Sequence, residues 1–220
     1  MTSAKTACVL EVLVAVKCFS HVCRSLSRPA GLLALSVLSA TAAGVLSAQD
    51  ARSDVRGVAR VGSNPAADVV VWLEAPNAPR FQQTSKVVLD QRNLTFSPRV
   101  LAVRVGTVVQ FPNNDRVFHN VFSFRDGKQF NLGLYPVGTT QPVTFDRPGL
   151  SRLFCNIHPN MAGYVMAVDT PYFAVSDRTG AFTLPSLPPA RYTYHAWRAG
   201  APELSGVWTP GATLTIEWPL

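Results

Sequence analysis

The sequence predicts an all-β protein built as a β-sandwich, and three observations predict it. Strand-length runs of apolar and β-branched residues recur along most of the chain, turn residues separate them, and no window of ten residues carries a helical repeat. Seventeen prolines and fourteen glycines are spread without an internal repeat, as many short strands require. At 220 residues, with 47% hydrophobic and 15% charged content, the chain can bury a core and is not disordered.

The first segment reads as an export leader. Arg24 and Arg28 precede an apolar stretch, residues 31–48, that ends at polar Gln49-Asp50, the three parts of a secretory signal. The stretch is long enough to span a bilayer, but small residues at Ala40, Ala42, Ala43 and Ala48 suit a signal peptidase better. Cleavage is expected after Ala48, with Ala42 or Ala43 as alternatives. The mature chain is then expected in the periplasm, with no stable membrane span. Residues 1–23 are a long preface that holds Cys8, Cys18 and Cys23. A start near Val22 would give a leader of ordinary length, and finding Met1 by N-terminal sequencing of the precursor would exclude that start.

Without residues 1–48 the formal charge falls from +7 to +4. Arginines are scattered, as at Arg52, Arg56, Arg60, Arg80, Arg92, Arg99 and Arg104, which describes a solvated surface rather than a nucleic-acid interface. One cysteine remains, Cys155. In an oxidising compartment a lone thiol forms no internal disulfide, so it must be buried or occupied.

Strands are expected at 57–61, 67–73, 86–89, 94–96, 100–105 and 107–111. A polar, glycine-rich middle, 126–140, follows. Further strands are expected at 143–145, 151–154, 163–168, 172–175, 181–184, 191–197 and 212–218. Residues 69–73 (VVVWL) form an unbroken apolar run, as a strand covered on both faces requires, whereas 101–105 (LAVRV) alternates like a half-exposed one. His195, in an alternating run, reads as a sheet residue, and Met166 as core.

The chemistry concentrates at 155–161 (CNIHPNM), where a thiolate, an imidazole and a thioether fall within seven residues between two expected strands. Thirty-six residues upstream of Cys155, the turn-rich stretch 111–120 (FPNNDRVFHN) offers His119. Two imidazoles and a thiolate near one plane, with a distant thioether on the axis, make a trigonal site that tolerates both Cu(II) and Cu(I). Zinc is the nearest rival metal, but its sites rarely take a thioether. A cysteine hydrolase would also use Cys and His. Cys155, however, leaves a strand for a short loop instead of opening a helix, and no oxyanion-hole signature accompanies it.

The pattern C-x-x-H-P-x-M, with upstream N-x-D-x-x-x-H-N-V from Asn113 to Val121, resembles the small blue copper proteins, the plastocyanin and amicyanin group of cupredoxins. The resemblance spans about residues 85–168. It implies a Greek-key sandwich holding one type 1 copper ion, with His119, Cys155 and His158 as equatorial ligands and Met161 as the weak axial one. It also implies that Asn120 braces the two ligand loops. Phe118 departs from the pattern, since family members commonly carry Pro there. The flanks, 56–74 and 172–197, resemble strands of a carboxypeptidase-regulatory or transthyretin-like sandwich, notably D-x-x-G-x-F-x-L-x-x-L-P-P from Asp177 to Pro189.

The expected organisation is therefore a leader (1–48), a first part of a transthyretin-like sandwich (49–83), a copper domain (84–169) and the second part of that sandwich (170–220). The expected function is single-electron transfer between periplasmic partners, not catalysis. His158 would be the electron's exit, and a redox partner would dock over Ile157, Pro159 and Met161. A periplasmic copper-binding or delivery protein is the alternative, disfavoured by the lack of a Met-rich or His-rich tract. A structural sandwich with a vestigial site would require missing ligands.

Overall fold

The structure is a computed structural model that describes residues 53–74 and 86–220. The expected leader, with Cys8, Cys18 and Cys23, lies outside them. The described residues form two β-sandwiches.

The flanking segments make one sandwich. In its first sheet, Ser53–Val61 lies between Ala181–Leu187, antiparallel to it, and Leu214–Trp218, parallel to it. The opposing sheet runs in the order Phe173–Val175, Val70–Glu74, Tyr192–Trp197, Leu204–Trp208. Val69, Val70, Val71 and Leu73 are fully buried, as the unbroken apolar run requires. The alternate side chains Val71 and Leu73 enter the core with Leu184, Tyr192 and Ile216.

The central segment makes the other sandwich. A five-stranded sheet (Phe130–Tyr135, His119–Ser123, Gly149–Phe154, Ala162–Val168, Val100–Arg104) faces a three-stranded one (Thr140–Phe145, Thr107–Pro112, Val87–Val88). The short hairpin Asp90–Arg92/Thr95–Ser97 completes this part of the fold. Phe111, Phe145, Leu153 and Val165 fill the core, which also takes in Cys155 and Met161.

Five strands fall where the sequence reads as turn, linker or nothing at all: Asn64–Pro65, Asp90–Arg92, His119–Ser123, Phe130–Tyr135 and Leu204–Trp208. The last two are edge strands, whose outer sides need no continuous apolar signal. Phe130–Tyr135 occupies the expected polar middle. A shift in its register falls between Asn131 and Leu134, where Gly133 takes a φ of 67°, and this breaks the alternation a strand normally shows. In Leu204–Trp208 the weak signal comes from Gly206, yet a Cβ there would meet the Tyr194 ring at 2.7 Å.

The expectation of a half-exposed strand at 101–105 is corrected. Val103 enters the central core, Val100 and Ala102 enter a second apolar cluster, and Arg104 is buried too. The second cluster, which also holds Val70, Met166 and Val168, is the seam between the sandwiches. A face that would meet solvent in an isolated sandwich is covered here by the flanking one.

Candidate metal centre

His119 opens the strand His119–Ser123, while Cys155 and His158 belong to the loop between Gly149–Phe154 and Ala162–Val168. Phe154 pairs with Phe122, which draws the two ligand-bearing segments together. His119 Nδ1 lies 3.1 Å from His158 Nδ1 and 3.9 Å from Cys155 Sγ, and His158 Nδ1 lies 3.5 Å from that sulfur. The point equidistant from the three atoms is about 2 Å from each. Metal–imidazole bonds run roughly 2.0–2.1 Å and metal–thiolate bonds about 2.3 Å, so His119, Cys155 and His158 are spaced as the ligands of one ion would be.

The hydrogen bonds around His119 set its tautomer. Nε2 lies 3.0 Å from Asp115 Oδ2, and a carboxylate only accepts, so Nε2 carries the proton and Nδ1 offers its lone pair to the site. Asp115 also accepts the Leu94 N–H on Oδ2 (2.7 Å) and the Arg116 N–H on Oδ1 (2.8 Å). Burial pushes this carboxyl up, but the Leu94 N–H, the His119 ring and the Arg116 N–H outweigh it and hold its pKa at about 2. The second imidazole is held differently: the Met161 N–H donates to the His158 carbonyl at 2.9 Å, closing the loop into a tight turn around Pro159.

His119, Cys155 and Met161 are buried, and His158 is half-buried. The three nitrogen and sulfur donors converge, and Met161 shares their core cluster through Cys155. Met161 is 1% exposed, so the expectation that it forms part of a docking surface is corrected. Ile157 is exposed, and Val117 and Phe118 present further exposed apolar side chains in the segment leading to His119.

The braces of the site differ from those expected. The Asn120 Nδ2 donates to Asn131 Oδ1 (2.8 Å) and to the Gly133 carbonyl (3.1 Å), which ties His119–Ser123 to its edge neighbour and not to the Cys155 loop. Asn113 is the buried brace of the upstream turn. Its Nδ2 donates to the Val117 and Tyr135 carbonyls, and its Oδ1 accepts the Asp115 N–H. Gln91, fully buried, donates to the Pro112 carbonyl and the Tyr135 hydroxyl, which in turn donates to the Phe111 carbonyl. Burial pushes the Tyr135 phenol up to about 12, against the Gln91 hydrogen bond, which lowers it. The motif pointed to Asn113 and Asp115 without assigning them a task. Nothing in the sequence marked Gln91 or Tyr135, whose partners are remote in the chain.

Comparison with known proteins agrees on this segment. Residues 83–168 match the sequence model of the copper binding proteins of the plastocyanin/azurin family. No curated protein matches the chain. Among solved structures, a purple cupredoxin from Nitrosopumilus maritimus is 27% identical, covering 38% of this chain and 100% of that one, with a TM-score of 0.35. A copper-containing nitrite reductase from Thermus scotoductus is 25% identical over 44% of this chain and 25% of its own, with a TM-score of 0.37. An amicyanin mutant in its reduced state is 21% identical over 44% of this chain and 99% of its own, with a TM-score of 0.34. Residues 83–168 are thus similar in sequence to the copper binding proteins of the plastocyanin/azurin family, and the same segment brings two imidazoles and a buried cysteine sulfur together.

Proposed function

We propose that this chain is an exported mononuclear copper protein that carries single electrons between periplasmic redox partners, with His119, Cys155 and His158 as equatorial ligands and Met161 as the weak axial one. The observation that carries the reading is the convergence of two Nδ1 atoms and one sulfur on a point about 2 Å from each. When bound there, copper supplies the Cu(II)/Cu(I) couple.

The chain's own residues do the rest. Asp115 fixes the His119 tautomer, Asn113 holds the turn that carries both, and the strand pair ending at Phe154 fixes the sulfur. A donor set anchored in sheet and hydrogen-bonded turns changes little when the charge on the ion changes, which favours fast exchange. His158, the half-buried ligand, is the electron's route to the surface, and the apolar side chains Ile157, Val117 and Phe118 offer the cover a redox partner would dock on. Export rests on the leader-like residues 24–48. We read the flanking sandwich as the transthyretin-like module that its turn pattern resembles, interrupted by the copper domain at 84–169.

The test is a visible absorption and EPR spectrum after loading with Cu(II), repeated with Cys155→Ala. An intense thiolate-to-copper band with narrow hyperfine splitting, both lost in the variant, supports the reading. A colourless protein that holds Cu(I) tightly would replace it with copper delivery.

A further inference from the structure

The seam between the two sandwiches opens into a cleft of about 470 Å³, lined by Trp72, Trp197, Met166, Glu74, Asp169 and Glu203 among others. It shares no residue with the candidate metal centre, and its volume lies in the range of small-molecule sites, roughly 300–1,000 Å³. Two indoles and the apolar seam make its walls. Its charged lining is entirely acidic: three carboxylates, and no Lys, Arg or His among the lining residues.

Those carboxylates stand apart from others on this chain. Asp90, Asp126 and Asp146 each face an arginine or lysine. Glu203 and Glu74 instead share one imidazole, with His195 Nδ1 2.9 Å from Glu203 Oε1 and Nε2 3.6 Å from Glu74 Oε1. Asp169 has no hydrogen-bond or ion-pair partner among the described residues. Even a protonated His195 would offset only one of the three carboxylates. The arginines nearest in sequence are engaged elsewhere: Arg198 lies 5.7 Å over the Trp218 ring and Arg147 pairs with Asp146. His195 also lies flat on Trp72, with ring centroids 5.0 Å apart and planes at 10°, which fixes the orientation of that indole.

We propose that this cleft binds a small organic ammonium ion of quaternary-ammonium size, its alkyl groups against the indoles and its charge toward the carboxylates. An indole face attracts a cation, and alkyl groups on nitrogen gain from the same apolar walls. A bare metal ion is the poorer match. The carboxylates do not converge to coordinating distance, and the only such convergence among the described residues is at His119, Cys155 and His158.

The experiment is a titration of the protein, copper-loaded and copper-free, with choline and with 3,3-dimethylbutan-1-ol, the neutral carbon analogue of choline. Calorimetry and tryptophan fluorescence supply the readouts. Choline is expected to bind saturably in both forms, about tenfold or more tighter than the neutral analogue. Asp169→Asn combined with Glu203→Gln should weaken choline by about tenfold while leaving the analogue and the copper spectrum unchanged. Both substitutions sit on the cleft's polar rim and remove no core packing. Equal binding of the two probes would make the cleft merely apolar, and no saturable binding of either would overturn the proposal. Because copper-free protein is one arm, these outcomes are independent of whether the metal reading holds.

Discussion

The two sandwiches of this chain use similar apolar cores and differ in what else they bury. In the flanking one, the buried polar side chains are Thr170 and Ser176, each hydrogen-bonded to backbone. The central one buries Gln91, Arg104, Thr107, Asn113, His119, Asn120, Ser123 and Ser151, and half of these, Gln91, Asn113, His119 and Asn120, lie close to the donor cluster in chain or hydrogen bond. A sandwich needs no such groups to be stable, and each must be satisfied or it costs free energy. The difference teaches where function was installed: the central core gives up apolar packing at one end to hold two imidazoles and a thiol.

The comparison can be broken most sharply with a pair of variants. Cys155→Ala should abolish the thiolate-to-copper absorption while changing chemical stability little in metal-free protein, because it shortens one small side chain. Leu73→Ala, in the flanking core, should cost about 2–5 kcal/mol in denaturant unfolding and leave the copper spectrum intact. If Leu73→Ala erased the spectrum while the protein stayed folded, the two regions would not be separable in this way.

Smaller effects sharpen it. Asn113→Ala removes donors to two carbonyls and an acceptor for the Asp115 N–H, so a loss of about 1–3 kcal/mol is expected together with a broadened EPR spectrum. Asp115→Asn tests the electrostatics of the same turn. The folded carboxyl titrates at about 2, below its ordinary 3.8. Its contribution is therefore present above about pH 4 and is lost as the pH falls toward 2. Unfolding of metal-free protein followed across that window should show a shallower pH dependence in the variant. Least of all, Phe118→Ala should alter stability by no more than about 0.5 kcal/mol, since the ring is exposed, while slowing electron exchange with a partner protein in stopped-flow kinetics.

The legible part of this molecule was whatever the chain writes locally. The Cys155–Met161 loop, its flanking strands and the run at 69–73 each announce themselves within a few residues. What was not legible depends on remote partners. Phe130–Tyr135 is a strand because it lies against His119–Ser123, and its own pattern is interrupted by Gly133. Arg104 is buried because another sandwich covers its strand, a fact that LAVRV cannot contain. Asn120 was assigned by resemblance to brace the ligand loops, and its hydrogen bonds run to the edge strand instead.

The parallel pairing of Ser53–Val61 with Leu214–Trp218 has a consequence in time. The flanking sandwich joins the first described strand to the last, and Ser176 completes it by accepting the Val69 N–H across 107 residues of chain. Everything between must be made before that sandwich can close, whereas the central unit contains all of its own strand partners. Non-local closures are slow because the entropy of a long loop is lost before any contact rewards it. Once the central unit folds, it replaces a loose loop with a compact bridge and brings Glu74 and Thr170 into reach of each other's strands. The order of assembly follows: the central unit forms first, and the flanking sandwich then closes around its ends, its C-terminal strand arriving last.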